Sequence, residues 1–133
     1  MNMTIQFSRR LAIVGGILAP LAETIRRWST WRQSPANLFD DYIMGAFLLY
    51  GAWRTGKDLR NGQRVLAAAW AFACGLGYYS FFGQLKSNRL GELDPAPIAS
   101  GWVLVIKGIA VALAILALVL SLKPLPDNEA SGD

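Results

Sequence analysis

The apolar positions of this chain fall into four blocks, each closed off by charged residues. The longest runs from Ile98 to Leu122, 25 residues with a single charge, Lys107. Wound as a helix it measures roughly 37 Å, enough to cross a bilayer with some tilt. Val65–Phe82 carries no charge and ends in Tyr78, Tyr79, Phe81 and Phe82, aromatics of the kind that settle at headgroup level. The other two blocks are shorter: Leu11–Ala22, continuing past Glu23 to Trp28, and Tyr42–Trp53. Tyr42–Trp53 spans only if its helix takes in Leu38–Asp41 and part of Thr55–Leu59, with Arg54 snorkelling to the surface. The first block gains from Ile5 and Phe7 at its start and is kinked by Pro20, whose ring removes a helix hydrogen bond.

No stretch alternates apolar and polar residues as barrel strands do, so the backbone groups in lipid must be satisfied within helices. The expectation is an all-α, integral membrane four-helix transmembrane bundle. It is a single membrane domain over 1–133, with spans at about 8–28, 38–56, 65–82 and 98–122 and a disordered tail at about 123–133. Thr55–Arg64 and Gly83–Pro97 read as connections, the second closed by Pro95 and Pro97 before the last helix. The first block has a rival reading as a signal peptide, with Arg9 and Arg10 as its basic start. The cleavage box would then be Pro20-Leu21-Ala22, and proline is a poor substitute for the small residue wanted there, so a retained span is preferred.

Composition sharpens this picture. Hydrophobic residues make up 53% of the chain against 17% charged, which excludes a disordered protein. The net charge of +4 does not form a basic stripe but falls between apolar runs, so no nucleic-acid partner is expected. With four spans, Arg9, Arg10, Arg54, Lys57, Arg60, Arg64 and Lys123 share one side, and Arg26, Arg27, Arg32, Lys86 and Arg89 the other. Seven against five places both termini in the cytoplasm, in a bacterial inner membrane. Histidine is absent and Cys74 is the one cysteine, an inert apolar filler, so no catalytic residue, metal or cofactor is expected. No residue motif carries a family resemblance.

Four ionisable residues are candidates for an intramembrane charge network: Lys107, Glu23, Asp40 and Asp41. Lys107 lies about 13 Å along the last run and is costly at that depth unless it snorkels or finds a carboxylate. Glu23 precedes Arg26 and Arg27 by three and four residues, a spacing that suits an intrahelical ion pair near the interface. Trp28 and Trp31 flank that stretch as interfacial anchors. Asp40 and Asp41 suit the positive start of a helix, and as neighbours they point to different faces.

Small residues recur every fourth position, in Ala67, Ala71 and Gly75, in Ala69, Ala73 and Gly77, in Gly108 and Ala112, and in Gly15 and Ala19. Such stripes let helices approach closely in lipid, within a chain or between copies. The function expected is non-enzymatic: a small multi-pass membrane protein binding a partner or lipid, as a homo-oligomer or an accessory subunit. The alternative is a small transporter or proton- or ion-coupled protein using a carboxylate–lysine pair. A third is an enzyme acting on lipid or quinone at Tyr78–Phe82.

Overall fold

Four α-helices, each antiparallel to the next, make up the fold: α1 (Met3–Arg26), α2 (Pro35–Lys57), α3 (Leu59–Arg89) and α4 (Ser100–Ser121). The structure, a computed structural model, describes residues 3–26, 35–91 and 100–124. Among these residues there is no strand, and the architecture is an all-α helical bundle. Each helix packs on its neighbour in sequence and α4 returns against α1, so the four form a closed cycle. Stretches within α1, α3 and α4 are long and apolar enough to cross a membrane: Met3–Ile25, Leu59–Arg89 and Gly101–Ser121. That is compatible with a membrane protein. α2 is less apolar, but it packs antiparallel between α1 and α3 along its length and so occupies the same height.

The α2–α3 junction is much tighter than the expected connection at Thr55–Arg64, which is corrected here. Both helices continue through it and break only at Asp58. Asp58 is the N-cap of α3: its carboxylate accepts from the Asn61 backbone N–H at 3.3 Å and from the Asn61 side-chain amide at 2.6 Å. One turn on, Gly62 lies so close to α2 that a Cβ there would overlap the backbone of Arg54 and Thr55. Glycine is therefore what lets the two helices fold back on each other without a loop.

α3 also runs further than expected, through Gly83–Arg89. It stops where Gly91 takes a positive φ of 71°, a conformation open to glycine, with Leu90 N–H still bonded to the Lys86 carbonyl at 3.0 Å. Pro95, Pro97 and the tail beyond Pro124 lie outside the described residues. α2 opens on Pro35, which suits a first helical turn. Asp40 and Asp41 therefore sit in its second turn, and the expectation that they cap this helix is corrected: its first turn holds no acid.

Pro20 stands inside α1 and leaves the Gly16 carbonyl without its helical N–H partner. That carbonyl faces Gly45 of α2, where a built Cβ would come within 2.6 Å of it. Reciprocally, a Cβ on Gly16 would come within 2.9 Å of the Gly45 carbonyl. Two glycines thus bring two backbones into contact where a helix has lost a hydrogen bond.

The buried side chains gather toward the Asp58 end. Ile5, Ala12, Leu48, Ala52, Leu59, Leu66, Ala69, Trp70, Ala73, Ala114 and Ala117 form one cluster. Among the described side chains of α1 none past Gly16 is buried, and on α3 the next after Ala73 is Gln84.

Candidate functional site

Register contacts place the charged residues in two layers. At the Asp58 end, Arg9 Nε donates to the Ala52 carbonyl at 2.8 Å, and its guanidinium fills the space beside Gly56. Gln63 of α3 donates to the carbonyls of Ser121 and Lys123 at 2.8 and 2.6 Å, closing the C-terminus of α4. Arg9 and Arg10, Arg54, Arg64 and Lys123 therefore lie at one height, joined by Lys57 and Arg60 at the turn.

At the Gly91 end, Thr24 gives its proton to the Pro20 carbonyl at 2.7 Å, so the Tyr42 hydroxyl must donate to Thr24 Oγ1. This bond sets Glu23 of α1 level with Tyr42 and Asp41 of α2. The Phe47–Phe72 ring pair, with centroids 6.1 Å apart, carries the level across to Tyr78 on α3. Gly77 against Val111 and Gly108 against Phe81 carry it on to α4. Lys107 lies about one turn further toward the Gly91 end than Asp41.

Of the four network candidates, Glu23 and Asp41 are half-buried, Asp40 is exposed and Lys107 is half-buried. They share a zone of the bundle about one turn deep. The contact described for Lys107 is to an uncharged amide: its Nζ donates to Gln84 Oε1 at 3.4 Å. Gln84 is only 5% exposed and passes its own N–H to Asn88 Oδ1 at 2.9 Å. Lysine, glutamine and asparagine thus form a chain between α3 and α4, at a depth only two residues below Lys86. The expected partners of Glu23, Arg26 and Arg27, and the anchors Trp28 and Trp31, fall in side chains outside the described residues.

Gln84 and Asn88 were not legible as a site while Gly83–Pro97 read as a loop. Their four-residue spacing is the signal a longer helix would have exposed. Ser8, Thr55 and Ser121, all buried, were likewise missed. Ser8 donates across the bundle to the Ala117 carbonyl at 3.0 Å, and Thr55 and Ser121 bond the Gly51 and Leu118 carbonyls of their own helices. Trp70, 5% exposed, lies over Gly15, and its indole N–H finds no acceptor among the described residues.

The small-residue stripes divide. Ala67, Ala69 and Ala73 are buried and Gly77 meets Val111, so these face inward. Gly108 lies 3.2 Å, by a built Cβ, from Phe81. Ala71 and Ala112 are exposed, and a Cβ on Gly75 would meet nothing within 4 Å. Beside this open strip stand the exposed rings of Phe72, Tyr78, Tyr79 and Phe82, with Tyr78 and Phe82 tilted against each other, centroids 4.7 Å apart.

Asp58, at the bundle's end, has its carboxyl held below the ordinary value, first by the Asn61 side-chain amide, then by the Asn61 backbone N–H. Among the described residues no group of three His, Cys, Asp or Glu stands close enough to hold a metal. No protein-family model matches the sequence, no curated protein matches it, and no solved structure matches its fold.

Proposed function

We propose that this chain is a non-enzymatic, multi-pass membrane protein of a bacterial inner membrane. It would bind a second membrane protein, a further copy of itself or a lipid through the outward face of α3. The observation that carries this reading is the division of labour on that helix. Its inward stripe, Ala67, Ala69 and Ala73, is consumed by the bundle, while Ala68, Ala71 and Gly75 lie open between exposed aromatic rings. Small residues flanked by rings suit close approach of another helix or an acyl chain. The buried hydroxyls of Ser8, Thr55 and Ser121 are spent on the bundle's own carbonyls, as in a scaffold. The basic layer at the Asp58 end, with Arg9, Arg10, Arg54, Lys57, Arg60, Arg64 and Lys123, supports a cytoplasmic placement of that end and of both termini.

A photocrosslinker at Gly75 tests the proposal, because that position looks out of the bundle whereas Gly108 looks into it. The expected product is one discrete adduct, to a protein or a lipid, in native membranes. Labelling spread over bulk lipid, unchanged when the probe is moved to Ala112, would overturn it.

A second reading is favoured by the shared depth of Glu23, Asp41 and Lys107: a relay for protons or a small charged solute. It predicts that Lys107→Met abolishes uptake or efflux in reconstituted vesicles at unchanged expression. A variant that is merely less stable, with transport per folded molecule intact, would assign Lys107 to structure.

A further inference from the structure

The two charge layers are closer together than an ordinary bilayer is thick. On α1, Arg10 and Glu23 are 13 residues apart, and on α2 so are Asp41 and Arg54, about 20 Å in each case. On α4, Lys107 and Lys123 are 16 residues apart, about 24 Å. α3 alone has a longer uncharged stretch, from Val65 to Leu85, and it is at the level of Asp41 and Lys107 that this helix exposes Tyr78, Tyr79 and Phe82. Two helices and an aromatic girdle thus mark one boundary, because the register contacts bring Glu23, Asp41 and Tyr78 to one height, with Lys107 of α4 about one turn beyond it. A typical hydrocarbon core is about 30 Å thick. Lysine and arginine stems can make up some of the difference by snorkelling, but the shorter stems of Glu23 and Asp41 reach less far.

We infer that the bundle is matched to a hydrocarbon layer of about 20–24 Å, so that it thins the lipid around it and prefers short acyl chains. The inference rests on the membrane reading made above, and its test separates the two.

The protein would be reconstituted in phosphatidylcholine vesicles with dimyristoleoyl, dipalmitoleoyl, dioleoyl, dieicosenoyl or dierucoyl chains, and its thermal unfolding midpoint measured in each. A midpoint highest in the two shortest lipids and falling with each lengthening is the expected result. A maximum in dioleoyl or longer lipid overturns the inference. A chain that alkaline carbonate strips from every vesicle overturns the membrane reading instead.

Replacing the acidic layer, Glu23→Leu with Asp40→Leu and Asp41→Leu, lengthens the apolar belts. It should move the optimum at least one step toward dioleoyl; an unmoved optimum also refutes the proposal. Should that variant fail to fold, the milder Glu23→Gln with Asp41→Asn keeps side-chain shape, and its optimum should move in the same direction. If it does not move, the acids do not set the boundary and the inference fails.

Discussion

At the scale of single residues, the structure turns on places where a side chain would not fit. Gly45 receives the Gly16 carbonyl freed by Pro20, so Gly45→Val forces α1 and α2 apart at their crossing. The expected cost is about 1–3 kcal/mol, as for other overpacked contacts, read as loss of folded protein in a denaturing-detergent titration. Ser8→Ala removes one hydroxyl bond between α1 and α4 and should cost less, about 0.6 kcal/mol, the usual value for a polar contact between membrane helices. Asp58 gives a pH dependence. Its folded-state value is lowered by Asn61, so its contribution to stability is complete above the ordinary carboxylate value and is lost as pH falls through the lowered one. Asp58→Asn should abolish that acid-side loss; an unfolding profile between neutral pH and pH 2 that does not differ from the parent would assign the loss to other groups.

At the scale of elements, the sequence made the existence of four helices plain and blurred their ends. Val65–Phe82 is marked by its lack of charge, yet α3 begins six residues earlier and ends seven later. Hydropathy cannot see those turns, because Arg60, Arg64, Lys86 and Arg89 satisfy their backbones in the helix while their charges reach water. The signals that could have corrected it were local: Asp58 with Asn61 three residues on, and Gly91 as the first glycine past a run of helix formers. Gly91→Ala should leave α3 intact but strain its exit by about 1–2 kcal/mol. The charge candidates were legible as residues but not as contacts. Glu23, Asp41 and Lys107 come to similar depth only through the Thr24–Tyr42, Phe47–Phe72 and Gly108–Phe81 registers, and no sequence period specifies a register between helices.

At the scale of the whole molecule, the bundle is unevenly held. The apolar buried cluster, the Arg9 and Gln63 ties to carbonyls and the Asp58 turn lie toward one end, while at the other none of the described α1 side chains past Gly16 is buried. Hydrogen exchange in micelles should therefore be slower around Ala52 and Leu66 than around Leu21 and Val105; uniform protection would contradict this gradient. α2 has a further consequence, for how the chain is made. It is not among the three helices apolar enough to cross on their own, and it meets α1 and α3 through glycines that permit backbone contact. A translocon presented with α2 in isolation should let it slip through, and a glycosylation-mapping reporter would show it unretained. Fused behind α1, the same segment should integrate, because its neighbour arrives first and shelters it. That outcome would give biogenesis a fixed order, in which the second helix enters as a passenger of the first.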